Sequence, residues 1–254
     1  MNHSNKMREE KRFLRWSLSL VAALVAGCGG GGDSGSGGPP ANVAEAAGVW
    51  SGSTSTQRDL TALLLSDGSY YLIYSGVGNP ATTGGFVYGT ATVDNGMFTS
   101  ANGIDYNLEG TGTTAGPVAG QFGAGFDGTI RPGTATSVGF GNVLQPGSST
   151  MPALKSLEGT YPGQVQFSLG TRAGTFVVTP EGHLSTVING CTITGTAVPR
   201  TDIHAYDLTV VFGGAPCVFP NFTFQGVTYQ ADGRLVAAVR NTAINQAIVF
   251  AGTR

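Results

Sequence analysis

After residue 50 the chain runs in short stretches of alternating apolar and polar residues, and no segment carries the three-to-four-residue apolar spacing of an amphipathic helix. Tyr206, Leu208, Val210 and Phe212 share one parity, with Asp207 and Thr209 between them. Phe222 and Phe224 alternate with Thr223 and Gln225, and Val227 with Tyr229 continues the pattern. The first half has the same grammar: Tyr70, Leu72 and Tyr74 are interleaved with Tyr71 and Ile73, and Ile104, Tyr106 and Leu108 with Asp105, Asn107 and Glu109. Such alternation predicts strands with one buried face. Residues 234–240 and 247–251 read as two closing strands. Turns are expected at Asp67-Gly68, Asn95-Gly96, Asn102-Gly103, Asp127-Gly128, Glu181-Gly182, Asn189-Gly190 and Asp232-Gly233, where glycine supplies the positive φ of tight hairpins. With 41 glycines and only 11% charged residues, the fold class is all-β.

The halves also align with each other. Gly48-Val49-Trp50-Ser51-Gly52 matches Gly159-Thr160-Tyr161-Pro162-Gly163, Gly68 matches Gly182, and Gly89-Thr90-Ala91 matches Gly195-Thr196-Ala197. Tyr106-Asn107-Leu108 pairs with Tyr206-Asp207-Leu208, and Asp127-Gly128 with Asp232-Gly233. Their order is preserved at offsets of about a hundred residues. The expectation is two tandem small antiparallel β-barrels or sandwiches, 47–150 and 151–254, joined at 145–156. The segment 157–254, strand-like at both ends, is expected to fold without the first half.

The N-terminus differs in kind. Residues 1–15 are polar and net basic, and 16–26 are apolar or small without interruption. Such a run suits a secretory signal and is too short to span a bilayer as a helix. It ends in Val25-Ala26-Gly27-Cys28, which resembles the lipobox of bacterial lipoproteins. That resemblance implies a signal peptide at 1–27, diacylglycerylation (palmitate) of Cys28, and, because Gly29 follows the cysteine, the outer membrane. Residues 28–46, rich in Gly, Ser and Pro, read as a flexible tether holding the body off the membrane. Five of the 13 basic residues and two of the 15 acidic ones precede Cys28, leaving the exported part near −5. No basic patch remains, which argues against nucleic acid as a partner.

Two small β modules behind a lipidated cysteine and a Gly-rich tether loosely resemble surface lipoproteins of the transferrin-binding-protein and factor-H-binding-protein type. Gly84-Gly85-Phe86 and Gly123-Ala124-Gly125-Phe126 are similar to their Gly-rich strands. Their terminal barrel motif and handle-like insertion are absent, so the resemblance implies an architecture and assigns no binding residue.

Catalytic groups are scarce. Cys191 and Cys217, an even pair in an exported protein, are expected to form a disulfide. After the leader the histidines are His183 and His204, too few for a metal site alongside oxidised thiols. His204 near Asp202 and Asp207 has the composition of a general-base cluster, but such a group is more often a solvated strand-end cluster. Gly32-Asp33-Ser34-Gly35 is similar to a trypsin-like nucleophile loop, but it lies in the tether, and the only earlier histidine is His3. Trp50, Tyr70, Tyr71, Tyr74 and Tyr88 suit either a ligand groove or a barrel core. No cofactor is implied. The expected function is a non-catalytic binding or adaptor lipoprotein, its body periplasmic or surface-exposed, with an envelope or extracellular protein, a glycan or a small apolar ligand as partner. The alternatives are a lipocalin-like carrier and an exported hydrolase.

Overall fold

The computed structural model describes residues 38–110 and 112–254; Cys28, the signal segment and most of the tether lie outside the described residues. In the first half, β1 (Gly48–Thr54), β2 (Asp59–Leu64), β3 (Ser69–Gly76) and β4 (Asn79–Thr90) form a meander. A short β5 (Thr92–Asp94) leads to β6 (Met97–Asn107), β7 (Gly112–Phe122), β8 (Phe126–Ile130) and β9 (Val138–Leu144). β4 pairs with β6 and β9 with β1, closing an antiparallel barrel of eight strands, while β5 hangs on the end of β6.

The second half repeats the plan with β10 (Gly159–Phe167), β11 (Gly170–Val178), β12 (His183–Ile188), β13 (Cys191–Pro199), β14 (Tyr206–Phe212), β15 (Thr223–Ala231), β16 (Arg234–Asn241) and β17 (Gln246–Thr253). Pairing of β10 with β17 closes it. The protein is thus two tandem eight-stranded barrels, and closure satisfies the edges that sandwiches would leave open.

The repeat extends to detail. A four-residue helical turn precedes each barrel, α1 (Val43–Ala46) and α2 (Leu154–Leu157). The aromatic two residues into the first strand donates back to the last residue of that turn: Trp50 Nε1 to the Ala46 carbonyl at 3.2 Å, and Tyr161 Oη to the Leu157 carbonyl at 3.1 Å. Gly68 and Gly182 also occupy one role, their carbonyls accepting from Ala91 N at 2.9 Å and Ala197 N at 2.8 Å.

Other matches fail. Tyr206 points into the second barrel's core, whereas Tyr106 packs outside the first. Asp232-Gly233 is a hairpin turn with φ of 51° and 77°, but Asp127-Gly128 lies inside β8. Asn102-Gly103 likewise falls within β6, at a register shift. At both sites glycine matters for its missing side chain: a Cβ on Gly103 would press the Gly116 carbonyl, and one on Gly128 the Ala119 carbonyl and the Phe140 ring. The tether is shorter than expected. Gly96 N donates to the Pro40 carbonyl at 2.8 Å, and Asn42 caps α1 by accepting from Glu45 N at 3.1 Å. Leu157 belongs to α2 rather than to the first strand of its barrel.

Each barrel has its own interior. The first is aromatic, with Trp50, Tyr70, Phe98, Phe122, Phe126 and Phe140 in mutual edge or stacked contact. A third core lies between the barrels, where Leu63, Ile73, Phe86 and Tyr106 from the first meet Val227, Val236, Ala238 and Val249 from the second. β3 and β17 are accordingly buried on both faces. The second barrel keeps its disulfide internal, yet its β15–β17 face is apolar and covered. Isolating 157–254 would bare that face.

Candidate functional site

The two barrel interiors differ in the room they offer. Inside the second barrel a space of about 30 Å3 is walled by Val165, Phe176, Leu208, Phe212, Leu235 and Phe250. Its two ends are stopped differently. α2 covers one, placing Leu154 and Leu157 against the core. Across the other lies the loop 213–222, fastened by a disulfide between Cys191 and Cys217. This loop drives Phe219 between Phe167, Phe212 and Phe224, with ring centroids 5.3–6.2 Å apart. The sequence-expected cysteine pair therefore holds a stopper.

The first barrel lacks that stopper. Its corresponding connection, between β6 and β7, spans only residues 108–111. The mouth there opens into a hollow of about 260 Å3 lined by Arg58, Tyr74, Val87, Asp105, Ile130 and Val138, among others. On β3, Tyr70 and Tyr74 point inward opposite Gly89 and Gly85. A Cβ on either glycine would strike the facing tyrosine, so small residues make way for the rings.

Tyr74 donates its hydroxyl to Asp105 Oδ1 at 2.7 Å. Asp105 is 9% exposed, and burial pushes its carboxyl up despite the Tyr74 hydrogen bond and the Arg58 charge. Burial also pushes Tyr74 well above the ordinary phenol range, and the neighbouring Asp105 adds to it. Arg58 lies 5.1 Å from the Tyr74 ring centroid, pairs with Glu109 at 2.6 Å and donates to the Ser75 carbonyl at 3.3 Å. These four residues come from separate strands and turns. The only signal in the sequence was Asp105 standing out of phase with Ile104 and Tyr106.

Two larger clefts flank the contact between barrels. The first, about 920 Å3, is bounded by Asp59, Thr61, Gln145, His204, Tyr229 and Arg234. Tyr229 Oη donates to Thr61 Oγ1 at 2.9 Å across the contact, and Arg234 donates to the Pro80 and Ala81 carbonyls at 3.2 Å. The second cleft, about 630 Å3, contains Tyr71, Tyr88, Arg200, Asp207, Gln225 and Arg240. Arg240 lies 3.5 Å from the Tyr88 ring centroid, and its buried Nε has no hydrogen-bond partner. Burial pushes Tyr71 up to about 12, the Arg240 charge acting against it.

The candidate base cluster is not assembled. His204 Nδ1 faces Thr150, 3.3 Å from its Oγ1 and 3.2 Å from its carbonyl oxygen. Asp202 and Asp207 are both taken by Arg200, at 2.9 and 2.6 Å. Asp202 also accepts from Ser66 N and Oγ of the first barrel, each at 2.8 Å. Burial opposes ionisation of Asp202, but Arg200 and Ser66 together carry its carboxyl well below the usual range. His183 is exposed at the start of β12. Of the five singled-out aromatics, Trp50, Tyr70 and Tyr74 fill the first barrel, while Tyr71 and Tyr88 form a cross-strand pair with centroids 5.0 Å apart. Neither a family model nor a curated protein matches the chain.

Proposed function

We propose that the chain is a non-catalytic, lipid-anchored binding module of the bacterial envelope, held at the outer membrane through Cys28, with the clefts between its barrels as the binding surface. The observation that carries this reading is the contrast between the second barrel's filled interior, with about 30 Å3 of space, and clefts of about 920 and 630 Å3 outside it. A carrier of an apolar ligand needs an enclosed cavity of roughly 300 Å3 or more. The clefts combine polar and apolar lining and take residues from both barrels, which suits an envelope protein or a glycan. The absorption of Asp202 and Asp207 by Arg200, and of His204 by Thr150, speaks against a hydrolase.

The test is affinity capture from the native envelope with residues 38–254, alongside Asp59→Arg and Gln225→Arg. Both positions are exposed, one in each cleft. A ligand retained by wild type and by one variant but lost with the other supports the reading and names the cleft. A ligand retained equally by all three forms overturns the assignment to the clefts, and turnover of a recovered ligand overturns the non-catalytic part.

A further inference from the structure

We propose that the open mouth of the first barrel is a separate binding site for a small organic cation: a protonated amine on a short hydrocarbon body, its ammonium accepted by Asp105.

Three observations converge. First, the two barrels repeat each other down to their capping turns, yet only the second has its far end stopped, by Phe219 on a disulfide-fastened loop. In the first barrel the equivalent space is left as a hollow of about 260 Å3, and barrel mouths are recurrent ligand sites. Second, the hollow is amphipathic. Val77, Val87, Ile130, Pro132 and Val138 form apolar walls, and the polar part comes from Asp105, Tyr74, Asn107, Thr54, Thr56 and Arg58, the last held in its ion pair with Glu109. Asp105 uses Oδ1 for the Tyr74 hydroxyl, and among the described residues no donor reaches Oδ2. Oδ2 is not among the buried atoms left without a partner, so it is open to the hollow, where an incoming N–H can replace water with a charge-assisted hydrogen bond.

Third, the charge is unbalanced. The groups acting on Asp105 are Tyr74 and Arg58, and Glu109 acts on Tyr74 beside them. Arg58 is already neutralised by Glu109 at 2.6 Å, so ionised Asp105 leaves the mouth one negative charge in excess. An ammonium restores neutrality where a carboxylate or phosphate would deepen the excess. A hollow of this volume admits a chain of about four carbons, with the apolar walls excluding water from the ion pair.

The test uses residues 38–254, which belong to one compact unit, and n-butylammonium, 1-butanol and butyrate as probes. Binding is followed through the methyl resonances of Val87, Ile130 and Val138. Butylammonium is expected to shift them saturably, with 1-butanol at least tenfold weaker and butyrate without effect. Asp105→Asn is expected to weaken butylammonium at least tenfold. Its affinity should rise with pH as Asp105 ionises, a dependence that Asp105→Asn removes. Val138→Phe, which fills the hollow without altering the carboxyl, should abolish binding and keeps the test decisive if Asp105→Asn does not fold. Equal affinity for amine and alcohol, undiminished binding by either variant, or no saturable shift with butylammonium would each overturn the proposal.

Discussion

Val249→Ala tests whether the two barrels unfold as one. Val249 sits on the outer face of β17, fully buried against the first barrel. Removing two methyl groups forfeits roughly 1.6 kcal/mol of transfer free energy at about 0.8 kcal/mol per carbon. The unfilled space adds to this, for a total of about 2–3 kcal/mol. Trp50 is the only tryptophan within residues 38–254 and lies inside the first barrel, so in that fragment its fluorescence reports a barrel that does not contain the substitution. With a urea m-value of about 3 kcal/mol/M for a body of this size, the Trp50 midpoint should fall by roughly 0.7–1 M. Val187→Ala, on an exposed position of β12, should leave it in place. If Val249→Ala lowers the protection of β13 and β14 amides while the Trp50 midpoint stays fixed, the barrels unfold independently and the core between them does not couple their stability.

Cys28→Ser should abolish lipid labelling and release the protein from membranes; unchanged labelling would end the lipoprotein reading. Cys191 and Cys217 should map as linked under non-reducing conditions. Closing a loop with a separation of 26 residues stabilises by about 3.5 kcal/mol in the chain-entropy model, and replacing both by serine should lower unfolding stability by about that amount. Asp202 titrates lower folded than unfolded, so its contribution is complete above the unfolded value of about 3.9 and is lost as pH falls through the folded one. Acid titration should therefore loosen the contact between barrels, and Asp202→Asn should flatten that loss; an identical acid profile in the variant would refute the assignment.

What the sequence discloses depends on how many partners a strand has. On β14 one face meets the core and the other is more open, so the alternation of Tyr206, Leu208, Val210 and Phe212 reports orientation directly. On β6 the same rule points the wrong way. Ile104, Tyr106 and Leu108 face outward into the contact with the second barrel, and Asp105 faces the interior. Alternation tells which face is apolar; it does not tell whether the covering layer is the strand's own barrel or a neighbour. Runs such as 234–240 and 247–251 carried the missing information, because apolar residues at both parities require cover on both faces, as β16 and β17 have. Xaa-Gly pairs divide in the same manner. Asn95-Gly96 and Asn189-Gly190 turn the chain with positive φ at both residues, while Gly103 and Gly128 admit a neighbouring carbonyl or ring within a strand, a need set by residues distant in sequence. The barrel mouth was least legible for this reason. Tyr74, Asp105, Arg58 and Glu109 converge only once β4 and β6 pair and close the ring. Its openness is visible only by comparison with the second barrel, where the cysteines that the sequence did expose hold Phe219 in the equivalent place.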